Sequence, residues 1–366
     1  MMESIPKKSN VLLAALLTCL AGIATLIYLE LGVRFLAPAA FPLLRTDPVV
    51  GSIHVKNFNG MAWSANAERY SHIRTNNLGY NGNFVAPQKA PDTIRIAIMG
   101  DSVTAGLEVD TDQSYPVLLE NRLNIESVCR ENKFEVMNFG VGASGTFLEY
   151  QTFKHAVSPL APDYTLVVFS NDYADNLNKS HFSLENYAEE RSAVGIKAFL
   201  LQFTLPKFVF NKVQRNPTVR QVLAVTGLLE ISVDEVITAT STESAISDRY
   251  YSYTFELIEK LKKLVENSGS AFILVPYPSM ANFEGDPTWE TDTSNGPLIQ
   301  FAESARIDTL NPIPRIAEER LKRGDCLVAN CADHLNEAGH EAMADILFDF
   351  FSERLPADMP RDCTET

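Results

Sequence analysis

Positive charge is scarce in this chain: 31 lysines and arginines stand against 46 aspartates and glutamates, for a formal net charge of −15. A nucleic-acid partner needs a basic face to meet its phosphates, so this balance argues against one. No spacing of Cys or His has the look of a zinc site, and neither a metal nor a cofactor is expected. Internal repeats and low-complexity tracts are missing too. A hydrophobic content of 46% against 21% charged residues argues against a disordered tail. Cysteine is sparse, at five. Cys19 falls in an apolar run, while Cys326 and Cys331 are spaced to close a short loop in an oxidising compartment, though spacing alone does not fix a pairing.

What is present begins at the N-terminus. Lys7 and Lys8 precede an uncharged run from Val11 to Leu29, which ends before Glu30 and Arg34. A helix of about 20 such residues spans the hydrocarbon core of a bilayer. The lysines favour a cytoplasmic N-terminus, a bias that Arg34 and Arg45 weaken. A cleaved signal peptide fits less well, because the nearest small-residue site, Ala37-Pro38-Ala39, lies beyond two charges. The expectation is a single-pass anchor in the cytoplasmic membrane, with the remaining chain extracytoplasmic (periplasmic).

Residues 1–36 are thus read as the anchor and 37–90 as an irregular prefix rich in Pro, Asn and Gly, with a turn at Thr75-Asn76-Asn77-Leu78-Gly79-Tyr80-Asn81-Gly82. Residues 91–355 form the main domain and 356–366 a tail. Within the domain, Ile94–Met99, Phe134–Phe139, Tyr164–Phe169 and Ala271–Val275 have the apolar composition of buried strands, and a weaker fifth falls near Ala305–Leu310. Helical stretches lie at Tyr115–Ile125, Leu148–Val157, Thr254–Val265 and Glu337–Phe351. Strands alternating with helices predict an α/β fold with a mostly parallel, five-stranded sheet covered on both faces.

Such sheets gather ligands at the carboxyl ends of their strands. Ser102 follows the first strand in Gly100-Asp101-Ser102-Val103-Thr104-Ala105-Gly106. The glycine-rich turn Gly140-Val141-Gly142-Ala143-Ser144-Gly145 follows the second strand, and Asn171 the third. His334 stands near the C-terminus in Asp333-His334-Leu335-Asn336. A serine esterase needs a hydroxyl, a base to take its proton and donors for the oxyanion. Ser102 supplies the hydroxyl and His334 the base. The backbone N–H groups of Ser102 and of Gly142 or Ala143, with the Asn171 amide, supply donors.

Gly100-Asp101-Ser102, Asn138 with its glycine turn, Asn171-Asp172 and His334-Leu335-Asn336 occur in the order of the blocks of the SGNH/GDSL hydrolase superfamily, which the chain resembles from about Ile94 to Phe351. The prefix is similar to the Asn-Ser-x-Gly-Phe-Arg segment of membrane-anchored bacterial members. The resemblance implies a flavodoxin-like three-layer α/β/α sandwich, with Ser102 as nucleophile, Asn171 as oxyanion donor and His334 as base. It also implies an acid three residues before the histidine, but Cys331 stands there. Asp333 is the nearest acid in sequence; a backbone carbonyl, or Asp325 if the loop folds back, are the alternatives for orienting the ring. Ala143 stands where the family has glycine, and a backbone N–H survives that methyl group.

From Ser192 to Leu229 there is no Asp or Glu, while Lys197, Lys207, Lys212, Arg215 and Arg220 alternate with Phe and Leu. This segment, at about 192–229, reads as a basic, apolar insertion that either touches an anionic membrane surface or caps the sheet. The expected activity is hydrolysis of an ester or O-acyl group on a lipid or cell-envelope glycan. An O-acyltransferase acting on an envelope polysaccharide uses the same site, and a catalytically inactive envelope-binding scaffold is the non-enzymatic alternative.

Overall fold

A computed structural model of the chain describes residues 8–36, 43–64, 69–126, 133–142, 144–170, 173, 243–277, 295–323, 326–328 and 334–354. The 192–229 insertion and the 356–366 tail lie outside these residues. The chain divides into two bodies. In the first, the described part is helix α1 (Lys8–Leu36). Its segment Leu13–Gly32 is 20 residues long with mean hydropathy 1.9 and is long and apolar enough to cross a membrane. The hydroxyls of Thr18 and Thr25 each donate to a carbonyl one turn earlier, on Ala14 and Ala21, at 2.9 Å. Both hydroxyls therefore find partners within the helix.

The second body is built on four parallel strands: β5 (Thr93–Gly100), β6 (Lys133–Gly140), β7 (Tyr164–Phe169) and β8 (Ala271–Pro276), in the order β6-β5-β7-β8. Alternate side chains of β5 serve opposite faces. Ile96 and Ile98 pack with α3 (Tyr115–Glu126), α7 (Ile313–Arg323) and α8 (Glu337–Arg354). Ala97 and Met99 pack with α5 (Glu243–Asn267) and α6 (Gly296–Ser304), and beside them lies the chain that continues α4 (Thr146–Thr152). Both faces are buried, so the strands read as nearly continuous apolar runs. The layering is the expected α/β/α sandwich.

Among the described residues the sheet has four strands where five were expected. Around Ala305–Leu310 the chain makes a single parallel bridge, Thr309 to Leu274. Asn311 then accepts the N–H of Ile313 at 3.1 Å and starts α7, so nothing remains to extend the pairing.

One side chain breaks the apolar pattern of β5. Arg95 is fully buried; its Nε donates to the cross-strand Glu135 at 2.7 Å, and its other nitrogens donate to the carbonyls of Leu160, Ala86 and Gln88. It clamps the prefix and the segment before β7 to the sheet, at the end of β5 away from Ser102.

The prefix is more regular than its composition predicts. It holds two antiparallel pairs, β1 (Leu44–Asp47) with β2 (Gly51–His54) and β3 (Asn59–Trp63) with β4 (Tyr70–Arg74). The turn after β4 is organised by Asn76, whose Oδ1 accepts the N–H groups of Leu78, Gly79 and Tyr80. That turn delivers Asn81, fully buried, to the end of β5.

Candidate active site

Strand β5 sits between β6 and β7, so the chain leaves it towards one side and returns on the other. The crevice at its carboxyl end is where such a topology binds ligands. At that end Asp101 caps α2 (Ser102–Ala105), its Oδ1 accepting the N–H of Val103 at 2.9 Å. Ser102 is therefore the first residue of a short helix, and a first-turn N–H has no carbonyl inside the helix to bond. Gly106 ends α2 in a left-handed conformation (φ 60°, ψ 46°), which a side chain rarely tolerates.

Three neighbours fix this turn. Asn81 donates to the carbonyls of Ala105 and Gly106 at 2.8 and 3.3 Å and accepts the hydroxyl of Thr111 at 2.6 Å. Asn138, on β6, donates to the carbonyl of Thr104 at 2.9 Å and accepts the N–H of Gly140 at 2.8 Å. Tyr115 donates its phenol to the Thr104 hydroxyl at 2.9 Å. The glycine turn then passes beside the serine: a Cβ built on Gly142 would stand 3.8 Å from that of Ser102.

The histidine arrives from the far end of the chain. Leu335 is buried in the core and bridges Val328. Asn336 donates to the Cys326 carbonyl at 2.7 Å and accepts the N–H of Gly339 at 3.0 Å, so it ties the loop and caps α8 at once. Cys326 is disulfide-bonded, with its partner outside the described residues. Held this way, His334 is buried, and its Nε2 lies 2.8 Å from Ser102 Oγ. Hydroxyl and imidazole are within hydrogen-bond reach across a separation of 232 residues.

Several ionisable groups surround the pair. Burial pushes the Asp101 carboxyl up to about 6, while hydrogen bonds from Val103 and Ser170 and the charge of His334 pull it back. Glu108, whose side chain is 2% exposed, has Oε1 3.8 Å from His334 Nδ1. Burial lowers His340 to about 3, and its Nδ1 accepts the Tyr115 N–H at 3.2 Å, so this second histidine remains a neutral packing element. Burial raises the phenols of Tyr115 and Tyr277, with Asp101 adding to both.

The fold thus brings together Ser102, His334 and Gly142. Ala143, Asn171, Asp325, Cys331 and Asp333 lie outside the described residues. Sequence reasoning missed Glu108 and Asn81. A lone acid between Leu107 and Val109, both buried, was the available signal for the first. Among the described residues no group of His, Cys, Asp and Glu is gathered to hold a metal ion.

A parallel α/β/α sheet with a serine and a histidine meeting at its carboxyl edge has the form of a serine ester hydrolase. The model of the GDSL-like Lipase/Acylhydrolase family matches residues 96–347, and the chain belongs to that family. No curated protein matches the sequence. Similar solved structures include a two-domain esterase active on acetylated mannans (13% identity, 73% of this chain and 51% of that one, TM-score 0.43). Others are an acetyl xylan esterase (15%, 70% and 99%, 0.41) and a psychrotrophic esterase from Pseudoalteromonas sp. (10%, 71% and 98%, 0.40). The chain spans about half the length of the mannan esterase.

Proposed function

We propose that this enzyme is an extracytoplasmic, membrane-anchored esterase that removes an acyl group from a lipid or cell-envelope glycan. Ser102 is its nucleophile and His334 its general base. The observation that carries the reading is the 2.8 Å approach of His334 Nε2 to Ser102 Oγ at the end of β5. In this reading Nε2 takes the hydroxyl proton as Oγ bonds to the ester carbonyl carbon. The oxyanion is met by the backbone N–H of Ser102 and by Gly142 or Ala143 on the adjoining turn, with the Asn171 amide as a further donor. The proton then passes to the leaving alcohol as its C–O bond breaks, and water repeats the sequence on the acyl-enzyme.

Two observations support the location. Helix α1 has the length and composition of a membrane span. The disulfide at Cys326 favours an oxidising compartment. Within this reading, the basic segment at 192–229 adds contact with the anionic membrane surface.

A fluorophosphonate probe should label the full-length enzyme in detergent, and Ser102→Ala should abolish labelling and hydrolysis of p-nitrophenyl acetate together. A wild type that resists the probe would overturn the assignment. Adding a glycan acceptor and measuring acyl transfer against release separates an esterase from an acyltransferase.

A further inference from the structure

We propose that Glu108 is the positioning acid of this site, holding His334 through Nδ1 and balancing the imidazolium formed when Nε2 takes the Ser102 proton. The inference rests on the reading of Ser102 and His334 given above.

The imidazole of His334 stands within reach of a hydroxyl at one nitrogen and near a carboxylate at the other. One ring nitrogen is 2.8 Å from Ser102 Oγ, and the opposite one is 3.8 Å from Glu108 Oε1. The side chains of His334 and Glu108 are 6% and 2% exposed, so water screens their attraction poorly. A separation of 3.8 Å exceeds a hydrogen bond, but catalytic hydrogen bonds in the ligand-free state are often long and tighten along the reaction.

Local structure explains why the acid comes from here. The left-handed Gly106 turns the chain sharply after α2, and the burial of Leu107 and Val109 carries Glu108 inward between them. The imidazole facing that carboxylate offers it an N–H and, on protonation, a positive charge. Cys331 occupies the position where the family resemblance implies an acid, which fits a glutamate arriving from another strand end.

The other groups on the same space have different tasks. Asp101 caps α2 and is hydrogen-bonded to Ser170. His340 accepts from the Tyr115 backbone, and Tyr115 donates to Thr104. Tyr277 carries no charge at neutral pH, because burial raises its phenol well above the ordinary value.

The test uses the full-length protein with Glu108→Gln, Glu108→Asp and Asp333→Asn, measured from pH 5 to 9 on p-nitrophenyl acetate. Glu108→Gln should lower kcat by ~10²–10⁴-fold with KM changed less than about threefold, as expected for loss of an orienting acid. Loss of the neighbouring charge should move the acidic limb of its pH profile down by about one unit or more. Glu108→Asp should recover at least about tenfold of the loss, and Asp333→Asn should lose at least about tenfold less kcat than Glu108→Gln. A Glu108→Gln enzyme within threefold of wild-type kcat, an unmoved acidic limb, or a comparable collapse in Asp333→Asn would each overturn the assignment. If Glu108→Gln does not fold, Glu108→Asp decides: a wild-type rate and profile after shortening the side chain overturns it, and a partial loss of kcat at constant KM supports it. Labelling separates the two levels. An unlabelled wild type removes the Ser102 reading itself, whereas a labelled wild type with an indifferent Glu108→Gln removes only the role of Glu108.

Discussion

Replacing Gly140 with alanine tests how closely the turn that carries Ser102 is packed against the end of β6. A Cβ on Gly140 would stand 2.2 Å from the backbone N of Ala105, 2.4 Å from the carbonyl carbon of Thr104 and 2.7 Å from its Cβ. Non-bonded carbon contacts settle near 3.5–4.0 Å, so α2 and the β6 end must part by about 1 Å or more. The atoms met are mostly backbone, and rotating a side chain cannot relieve the clash. Overpacking of this kind typically costs ~1–3 kcal/mol, which for a domain of this size lowers Tm by roughly 2–12 °C. The functional effect should be larger. Ser102 rides on the displaced turn, and its 2.8 Å contact with His334 has little room before it leaves hydrogen-bond range. A misplacement of 1 Å costs on the order of 100-fold in rate. Thermal unfolding and kcat on p-nitrophenyl acetate, measured on the same preparation, give both numbers. A Gly140→Ala enzyme with wild-type kcat and a Tm within about 1 °C would show that the turn yields freely, and would refute the packing argument.

Two further predictions concern stability. Arg95→Met strands Glu135 and three carbonyls at the far end of β5, and should cost about 3–5 kcal/mol of stability while leaving kcat unchanged at a temperature where the variant stays folded; a loss under 1 kcal/mol in denaturant titration would contradict it. Asp101 has a folded pKa of about 6 against an ordinary 3.8, so between these values the folded state holds a proton that the unfolded state has released. Stability is therefore lost as pH rises through that window and stays lower above it. Asp101→Asn keeps a cap acceptor without the titration, so its Tm relative to wild type should rise from pH 4 to pH 8. A constant difference would count against the burial argument.

Much of this arrangement is legible in the sequence because buried parallel strands leave unbroken apolar runs. Tyr164–Phe169 matches β7 residue for residue, and Ser102 follows the first such run directly. The prefix strands escape because they are four or five residues long and interspersed with glycine and asparagine. The supposed fifth strand fails for the opposite reason: Ala305–Leu310 has enough apolar residues, but only Thr309 comes into register with β8 before α7 begins. Glu108 leaves only the weak signal of a lone acid between Leu107 and Val109, because a glutamate's meaning depends on what faces it, and His334 lies more than two hundred residues away. Asn81 was noted only as part of a turn. Its value lies in the two carbonyls at the end of α2 that its amide satisfies.

The 232-residue gap between hydroxyl and imidazole also orders events in time. Ser102 leaves the ribosome early, and its turn can form as soon as β5 and β6 pair. His334 comes late, and it is held only when Asn336 has capped α8 and Leu335 has found the core. Contacts between such distant parts of a chain carry a large loop-closure cost and slow folding. The site is therefore complete only when both ends of the domain are in place. A nascent, partly threaded or clipped chain carries the serine but cannot use it, and turnover counts only molecules that have finished folding.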